Sequence, residues 1–591
     1  MRSFYTYFDL TNIVSTLASL RARTALKRHE TDFYWKLFRF VPEPVESVPR
    51  LADPYLPPRR QWRRADRSER AQRTADGIAA HAIKRTVLGL SRNNKLPESE
   101  WGQKLLELVD KLQNLIHSGS ISLTPPKILL LPKPQPRKTT AATRFRAIAT
   151  YEDITDRLVL SQTAKYLRDA IDDQFLDVSY AFRAKHGYSH NKAVENIIEY
   201  RKTLEKKNLY VAECDISKFF DTINHQVVKD SFAKLVDRVS QKTAVQIDPV
   251  AIRVVDAYLA SYSFRSTVLR NPDLDIQKRV QNGFVDQADL TVLKMFYRKP
   301  ETESLGIPQG GALSPFLANC VLDVADRAVL SDNDPELFYA RFCDDMILIH
   351  PDRKKCQAAL DRYLAAMKKL KLPAHEIVTN IKYGPDYYSS KSKGPFKWAA
   401  ATSNRRTMPW ISFVGYQIRY DGEVRLRKQT IGKHFDQQKE EVVKAIKYLE
   451  KEGSSHKSSS EDIFNKIRCR MISMGVGKLS IRSHLPGIRQ LCWIDAFPLL
   501  TACQHSINQL RGLDKNRDRQ LKRLNKVLHR EDGKEQGNTI SKGETIGQKP
   551  DERPPHVFYG KPFSYVGFLT RTRDIYIKFK SRVSSLDAYR S

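Results

Sequence analysis

Apolar residues along this chain fall into short runs and longer helical repeats, and the acids sit where the runs end. Leu209-Tyr210-Val211-Ala212-Glu213-Cys214 reads as a strand that delivers Asp215, and Ile216 to His225 then turns into a helix. Leu337 to Phe342 and Met346 to Ile349 read as two paired strands, with the adjacent acids Asp344 and Asp345 at their turn. Helical spacing is expected at Ile78 to Leu90, Ala251 to Tyr262, Asp286 to Tyr297 and Phe435 to Lys451. It recurs at Ile463 to Met474, Ile488 to Leu500 and Ile507 to Arg530. Pro42 to Pro58 reads as an extended connector, Glu452 to Ser460 as a Ser-rich break, and 531–555 as disordered.

The chemistry follows from the acids. Two like charges at one hairpin turn repel unless a cation sits above them, and carboxylate oxygens suit Mg²⁺, with Mn²⁺ the alternative ion. Asp215, at the end of its own strand, supplies a third carboxylate. Three such groups can hold two ions roughly 3.5–4 Å apart, the arrangement for in-line nucleotidyl transfer. Between them, Gly306-Ile307-Pro308-Gln309-Gly310-Gly311 opens a turn where a ligand can approach closely, and Ser314-Pro315 starts a helix.

In this order, Asp strand, Gln-Gly loop and Asp-Asp hairpin, the chain resembles the reverse transcriptases, and more narrowly bacterial ones related to group II intron enzymes, retrons and defence-associated enzymes. The resemblance spans roughly residues 95–430. It includes Leu131-Pro132-Lys133, Arg144 to Ile148, Asp156 to Gln162, Ser179 to Arg183, and Ile411 to Tyr416, which looks like the primer-grip hairpin. Phe342-Cys343 stands where many members carry Tyr-Ala; neither change removes a carboxylate.

The resemblance implies roles for particular residues. Asp215, Asp344 and Asp345 would be catalytic and ligate metal, with the carbonyl of Ile216. Lys133, Arg144 and Arg146 would grip the triphosphate of the incoming deoxynucleotide. Gln309 and Gly310 would line its pocket, and Phe220 would be the steric gate that crowds a ribose 2'-hydroxyl. Lys382 would be a general acid, although any surface lysine reads the same there. Phe413, Val414, Gly415 and Tyr416 would grip the primer.

The implied fold is α+β, a right-hand polymerase. The expected parts are an N-terminal basic and aromatic helical extension (1–94), fingers (95–208), and a palm with an antiparallel sheet (209–428) and a helical insertion around 240–303. A helical thumb (429–530), a disordered linker (531–555) and a basic C-terminal β-hairpin element (556–591) follow. The insertion is either a passive elaboration or a contact for template. Arg59, Arg60, Arg63, Arg64, Arg67, Arg70 and Arg73 read as an Arg-faced helix, either a nucleic-acid track or a solvated face. Ser564 to Phe568 echoes Ser412 to Tyr416, either as a second hairpin or by coincidence.

Charge agrees with this reading. Lys and Arg together number 100 against 67 Asp and Glu, a net charge of +33, which suits a phosphate backbone. No apolar run of about 18 residues and no signal peptide is present, so membrane attachment is not expected and a cytoplasmic setting is. Seven cysteines without CxxC spacing predict neither a disulfide framework nor a zinc ribbon.

The expected function is RNA-directed DNA synthesis in antiviral defence. The expected partners are a dedicated structured non-coding RNA, a DNA primer or product, deoxynucleotides, and a homo- or hetero-oligomeric mate. Alternatives are a retron-type enzyme, a group II intron maturase without endonuclease, untemplated or protein-templated synthesis, and a non-catalytic RNA-binding scaffold.

Overall fold

The predicted finger strands pair as an antiparallel ribbon: β1 (Lys127–Pro132) lies against β2 (Phe145–Thr150), with Leu131 opposite Arg146. Alternation sends Ile128, Ala147 and Ala149 inward onto Tyr262, Phe264 and Val268, while Leu129 and Leu131 face solvent. The computed structural model describes residues 2–38, 50–66, 69, 74–132, 145–183, 187–204, 208–243, 245–269, 292–379, 387–388, 390–404, 406–450, 459–476, 492–537, 564–567 and 569.

The palm is a five-stranded sheet in the order β4-β5-β3-β7-β6. Its strands are β3 (Leu209–Cys214), β4 (Phe338–Phe342), β5 (Asp345–His350), β6 (Ile377–Val378) and β7 (Ser392–Trp398). All neighbours are antiparallel except β6 and β7. One face, with Ala212, Cys214, Met346 and Leu348, packs on helices Ser314–Val329 and Arg353–Lys369. The other, with Val211, Ile347, Ile349 and Phe396, packs under the hairpin strands β8 (Trp410–Phe413), β9 (Tyr416–Arg419) and β10 (Val424–Leu426). Burial on both faces explains why β3 and β5 read as near-continuous apolar runs rather than as alternating strands.

Helices Lys428–Leu449, Ser460–Val476 and Gln504–Gly537 form the thumb. The N-terminal helix, Leu10–Leu37, starts in the main core through Ile13, Val14 and Leu17 and ends in the thumb core through Tyr34, Leu37 and Phe38. Fingers, palm and thumb together make a right-hand polymerase fold, mixed helix and sheet as expected.

Several expected elements differ. The Arg-faced helix does not form at its start: Arg59–Gln61 is a single 3-10 turn after Pro57-Pro58 and the chain stays irregular to Asp66; Glu69 is helical, and a helix capped by Thr74 runs from Ala75. Arg67, Arg70 and Arg73 lie outside the described residues. The helix expected at Ala251 to Tyr262 is present as Pro249–Ala260. It is a core element rather than an appendage, because its fully buried Tyr258 supports the Gln-Gly loop. Of the helix expected at Ile488 to Leu500, only the 3-10 turn Ile494–Ala496 appears among the described residues. The last thumb helix runs past the boundary expected at 531, to Gly537, and 538–555 lies outside the described residues. Tyr565 to Gly567 is helical rather than a strand, because Tyr565 plugs a thumb pocket; 570–591 lies outside the described residues.

Candidate active site

Register brings the three acids together. β3 and β5 pair with Cys214 opposite Met346, so the next residue of each strand, Asp215 and Asp345, face one another across the sheet. Asp344 sits in the two-residue turn between β4 and β5, where Phe342 pairs with Asp345. Cys343 takes φ +60° there, a conformation that tight hairpins demand and that side chains other than glycine resist.

The turn is held from beneath by Arg341, which is wholly buried. Its guanidinium donates to Asp326 Oδ2 at 2.6 Å and Oδ1 at 2.8 Å, to Asn319 Oδ1 and Ser179 Oγ, and to the Cys343 carbonyl at 3.1 Å. The chain past Asp215 is fixed as well. His375 N donates to Asp215 O at 3.0 Å and Ser217 N to Pro373 O at 2.7 Å. That bridge leaves the Ile216 carbonyl unused.

The carboxylates feel one another. Burial and then the Asp215 charge push the Asp344 carboxyl up. Burial, Asp344 and Asp215 push Asp345 up to about 7, with Arg427 opposing. Asp345 also keeps a solvent-exposed side. Asp215 is already paired: Lys391 Nζ lies 2.8 Å from its Oδ2, and His375 Nε2 lies 3.7 Å away. Among the described residues the three acids do not place one oxygen each within 4.8 Å of the others. Hard oxygens whose proton affinity is raised by mutual repulsion fit a divalent cation, and Lys391 holds part of that position.

The Gln-Gly loop is clamped between fingers and palm. Gly306 N donates to Ile223 O, Ile307 N to Phe220 O, and Ala149 N to Gln309 O. Gly306 has φ +87°, and a Cβ there would meet Phe264 Cβ at 2.9 Å, so this contact requires glycine. Gln309 is part-exposed, and its Nε2 donates to Asp221 Oδ1 at 2.7 Å, which orients the amide beside the loop. Phe220 is part-buried beside the loop, edge-on to Phe219 at 5.2 Å. Behind Gly310 and Gly311 opens a cavity of about 470 Å³, lined also by Arg23, Lys27 and Arg157.

Of the other predicted residues, Arg146 is exposed on β2. Lys133, Arg144 and Lys382 lie outside the described residues. Phe413 and Tyr416 flank a two-residue turn in which Val414 and Gly415 have φ +39° and +94°, so a hairpin forms at the expected position. Sequence reasoning missed Arg341, His375 and Lys391. Arg341 carried a signal, a charge inside an apolar strand, whereas Lys391 lies in a polar, Lys-rich stretch with no signal.

A palm sheet carrying three clustered acids, with a finger ribbon and a helical thumb, is a fold of the right-hand polymerase class. Residues 131–382 match the family model "Reverse transcriptase (RNA-dependent DNA polymerase)", a span that takes in Asp215, the Gln-Gly loop and the Asp344-Asp345 turn. The chain is 23% identical over 220 residues to the COX1/OXI3 intron 1 protein of Saccharomyces cerevisiae, covering 37% of this chain and 20% of that protein. It is 24% identical over 197 residues to the Pol polyprotein of retrotransposable element R2 of Nasonia vitripennis, covering 32% and 16%. The chain therefore spans a fifth or less of the curated relatives it matches. Among solved structures it is similar to apo telomerase from Candida tropicalis, at TM-score 0.33 and 12% identity over 68% of this chain and 62% of that one. Telomerase from Candida albicans with a fragment of telomeric RNA gives TM-score 0.31 and 10% identity over 72% and 63%.

Proposed function

We propose that the protein is an RNA-directed DNA polymerase. The observation that carries this reading is the β3–β5 register, which sets Asp215 against Asp345 and beside Asp344, inside the segment that matches the reverse transcriptase family. In this reading Asp215, Asp344, Asp345 and the Ile216 carbonyl hold two Mg²⁺ or Mn²⁺ ions. When bound, the ions favour the ionised primer 3'-hydroxyl and steady the leaving pyrophosphate.

The chain's own residues do the rest. Lys391 must release Asp215 before metal enters. Arg146, with Lys133 and Arg144, faces the triphosphate, and Lys382 is the candidate proton donor to pyrophosphate. Phe220 sits beside the loop and excludes a 2'-hydroxyl. Gln309 and Gly310 line the nucleotide pocket, with Gln309 oriented by its bonds to Asp221 and to β2. Phe413 to Tyr416 set the primer end. The charge of +33 supports an RNA template and a DNA product as partners.

Primer extension on an RNA template with purified protein tests the reading. Asp344→Ala should abolish incorporation of deoxynucleotides while RNA affinity is retained, and Phe220→Ala should admit ribonucleotides. Synthesis that survives Asp344→Ala would overturn the site. We further propose a dedicated structured RNA and a cytoplasmic antiviral role, carried over from the resemblance to defence-associated enzymes. Sequencing co-purified RNA should return one dominant species. Phage plating on cells expressing wild type, but not Asp344→Ala, should be reduced; equal plating would remove the defence role.

A further inference from the structure

We propose that Glu423, Cys503 and His505 form a zinc site that fastens the β8–β10 hairpin to the thumb. The donors come from separate stretches of chain: Glu423 leads into β10, while Cys503 and His505 flank the first residue of helix Gln504–Gly537. A carboxylate oxygen, a sulfur and an imidazole nitrogen, one from each residue, all lie within 4.8 Å of one another. Among the described residues this is the one set of three such donors that close. His505 Nδ1 is already 3.2 Å from Glu423 Oε2. Tetrahedral zinc, with bonds of about 2.0–2.3 Å, needs donors roughly 3.3–3.8 Å apart, so side-chain adjustment of about 1 Å completes the set.

The backbones that carry the three ligands are already fixed. Val424 N donates to Thr501 Oγ1 at 2.9 Å, Thr501 N donates to Val424 O at 3.1 Å, and Ser506 Oγ donates to the same carbonyl at 2.8 Å. A metal would therefore meet a preorganised hairpin–helix junction rather than having to order one.

The donor set selects the ion. Thiolate and imidazole with one carboxylate suit borderline-soft zinc and are poor ligands for Mg²⁺, so this site does not compete with the palm acids for their metal. The guanidinium of Arg425 stacks on Trp410, 3.8 Å from the ring centroid, and so holds the ring that lies beside the site. Arg419 Nη1 lies 3.0 Å from Glu423 Oε2. A carboxylate offers about four acceptor positions, so Arg419 can orient Glu423 from outside while the metal takes the other side. Trp410 covers the imidazole edge-on at 5.3 Å. Glu423 and His505 keep solvent-facing surface, which leaves an entry path and a fourth position for water. Bound zinc would set the angle between the hairpin that grips the primer and the helix that begins the last part of the thumb.

The test is metal content after incubation of the full chain with zinc and removal of the excess by gel filtration. Wild type should retain one zinc per chain, and Cys503→Ser and His505→Ala should lose it. Co²⁺ loaded in its place should give a sulfur-to-cobalt charge-transfer band that Cys503→Ser removes, and circular dichroism of each variant separates metal loss from misfolding. Asp344→Ala should keep its zinc, so the outcome is independent of the polymerase reading. A zinc-free wild type overturns the proposal, and so does zinc retained by both folded variants.

Discussion

Asp215 shares its carboxylate with a lysine 176 positions away, and that pairing sets an expectation about metal. Lys391 is largely exposed, so the pair is worth only about 0.2–1 kcal/mol. Removing it should relieve competition at Asp215 without unfolding anything. Lys391→Met is expected to lower the Mg²⁺ concentration for half-maximal extension about 2- to 5-fold, as a metal titration at fixed substrate would show; a higher requirement would mean that the lysine assists the metal-bound state. Arg341 is the opposite case, a fully buried cation whose partner Asp326 is equally buried. Arg341→Met strands Asp326 and should cost about 3–5 kcal/mol in denaturant unfolding; a loss under about 1 kcal/mol would mean that the turn does not depend on this network. The acids were legible in the sequence because their meaning is local: each ends or interrupts an apolar run. Lys391, His375 and the tie from Gln309 to Asp221 were not legible, because each acquires its role only when distant segments fall into register.

At the scale of elements, the thumb depends on two docked segments. Tyr565 enters a pocket where the buried His434 imidazole lies 2.6 Å from its hydroxyl and stacks on Trp493 at 4.0 Å. Gly475 leaves the room, since a Cβ there would meet the Tyr565 hydroxyl at 2.1 Å. Burial depresses His434 to about 4, below the usual imidazole value of about 6.5. The folded state therefore binds fewer protons than the unfolded state between those values. Stability from the neutral ring is present above pH about 6.5 and is lost as pH falls through about 4, by at most roughly 2–3 kcal/mol. Trp493 fluorescence followed from pH 7 to 4 should report loosening of this pocket, and His434→Gln should remove that component; an unchanged profile in the variant would assign the loosening elsewhere. Its likeness to the Ser412–Tyr416 hairpin leaves a second hairpin and coincidence both open, and the helical turn at Tyr565 to Gly567 shows that the docked aromatic ring, not the pattern, decides the conformation here. The second docked segment is the end of the N-terminal helix. Tyr34 donates to Glu441, which Arg470 also holds, and its ring stacks on Tyr448. Tyr34→Ala should speed hydrogen exchange in Val442 to Leu449 and Ile463 to Met471 while leaving the Ile13 to Leu17 turn protected. Faster exchange at both ends would mean that the helix unravels as a whole.

At the scale of the molecule, the helix Leu10–Leu37 runs about 42 Å at 1.5 Å per residue and joins the finger side of the core to the thumb. It also lines the basic cavity behind the Gln-Gly loop through Arg23 and Lys27, so the N-terminal extension is part of the polymerase body rather than a separate domain. The cavity gathers cations from two regions, Arg23 and Lys27 of this helix and Arg157 of the helix Ile154–Ile171, and the excess charge of +33 then has a measurable consequence. If duplex or template binding neutralises about six phosphates, affinity should fall by about 10³-fold between 50 and 200 mM salt. Asp344→Ala should show the same slope, because the role proposed for the acids at the turn is to hold metal rather than to bind the phosphate track. Arg23→Ala and Lys27→Ala together should flatten the slope by about one to two contacts without altering the Mg²⁺ requirement at saturating template. A slope that stays as steep in this double variant would place the nucleic acid on another face and leave the cavity unrelated to template. A shallow slope in the wild type would mean that the positive charge serves some other partner, since a chain this basic cannot hold a phosphate backbone without releasing its counterions.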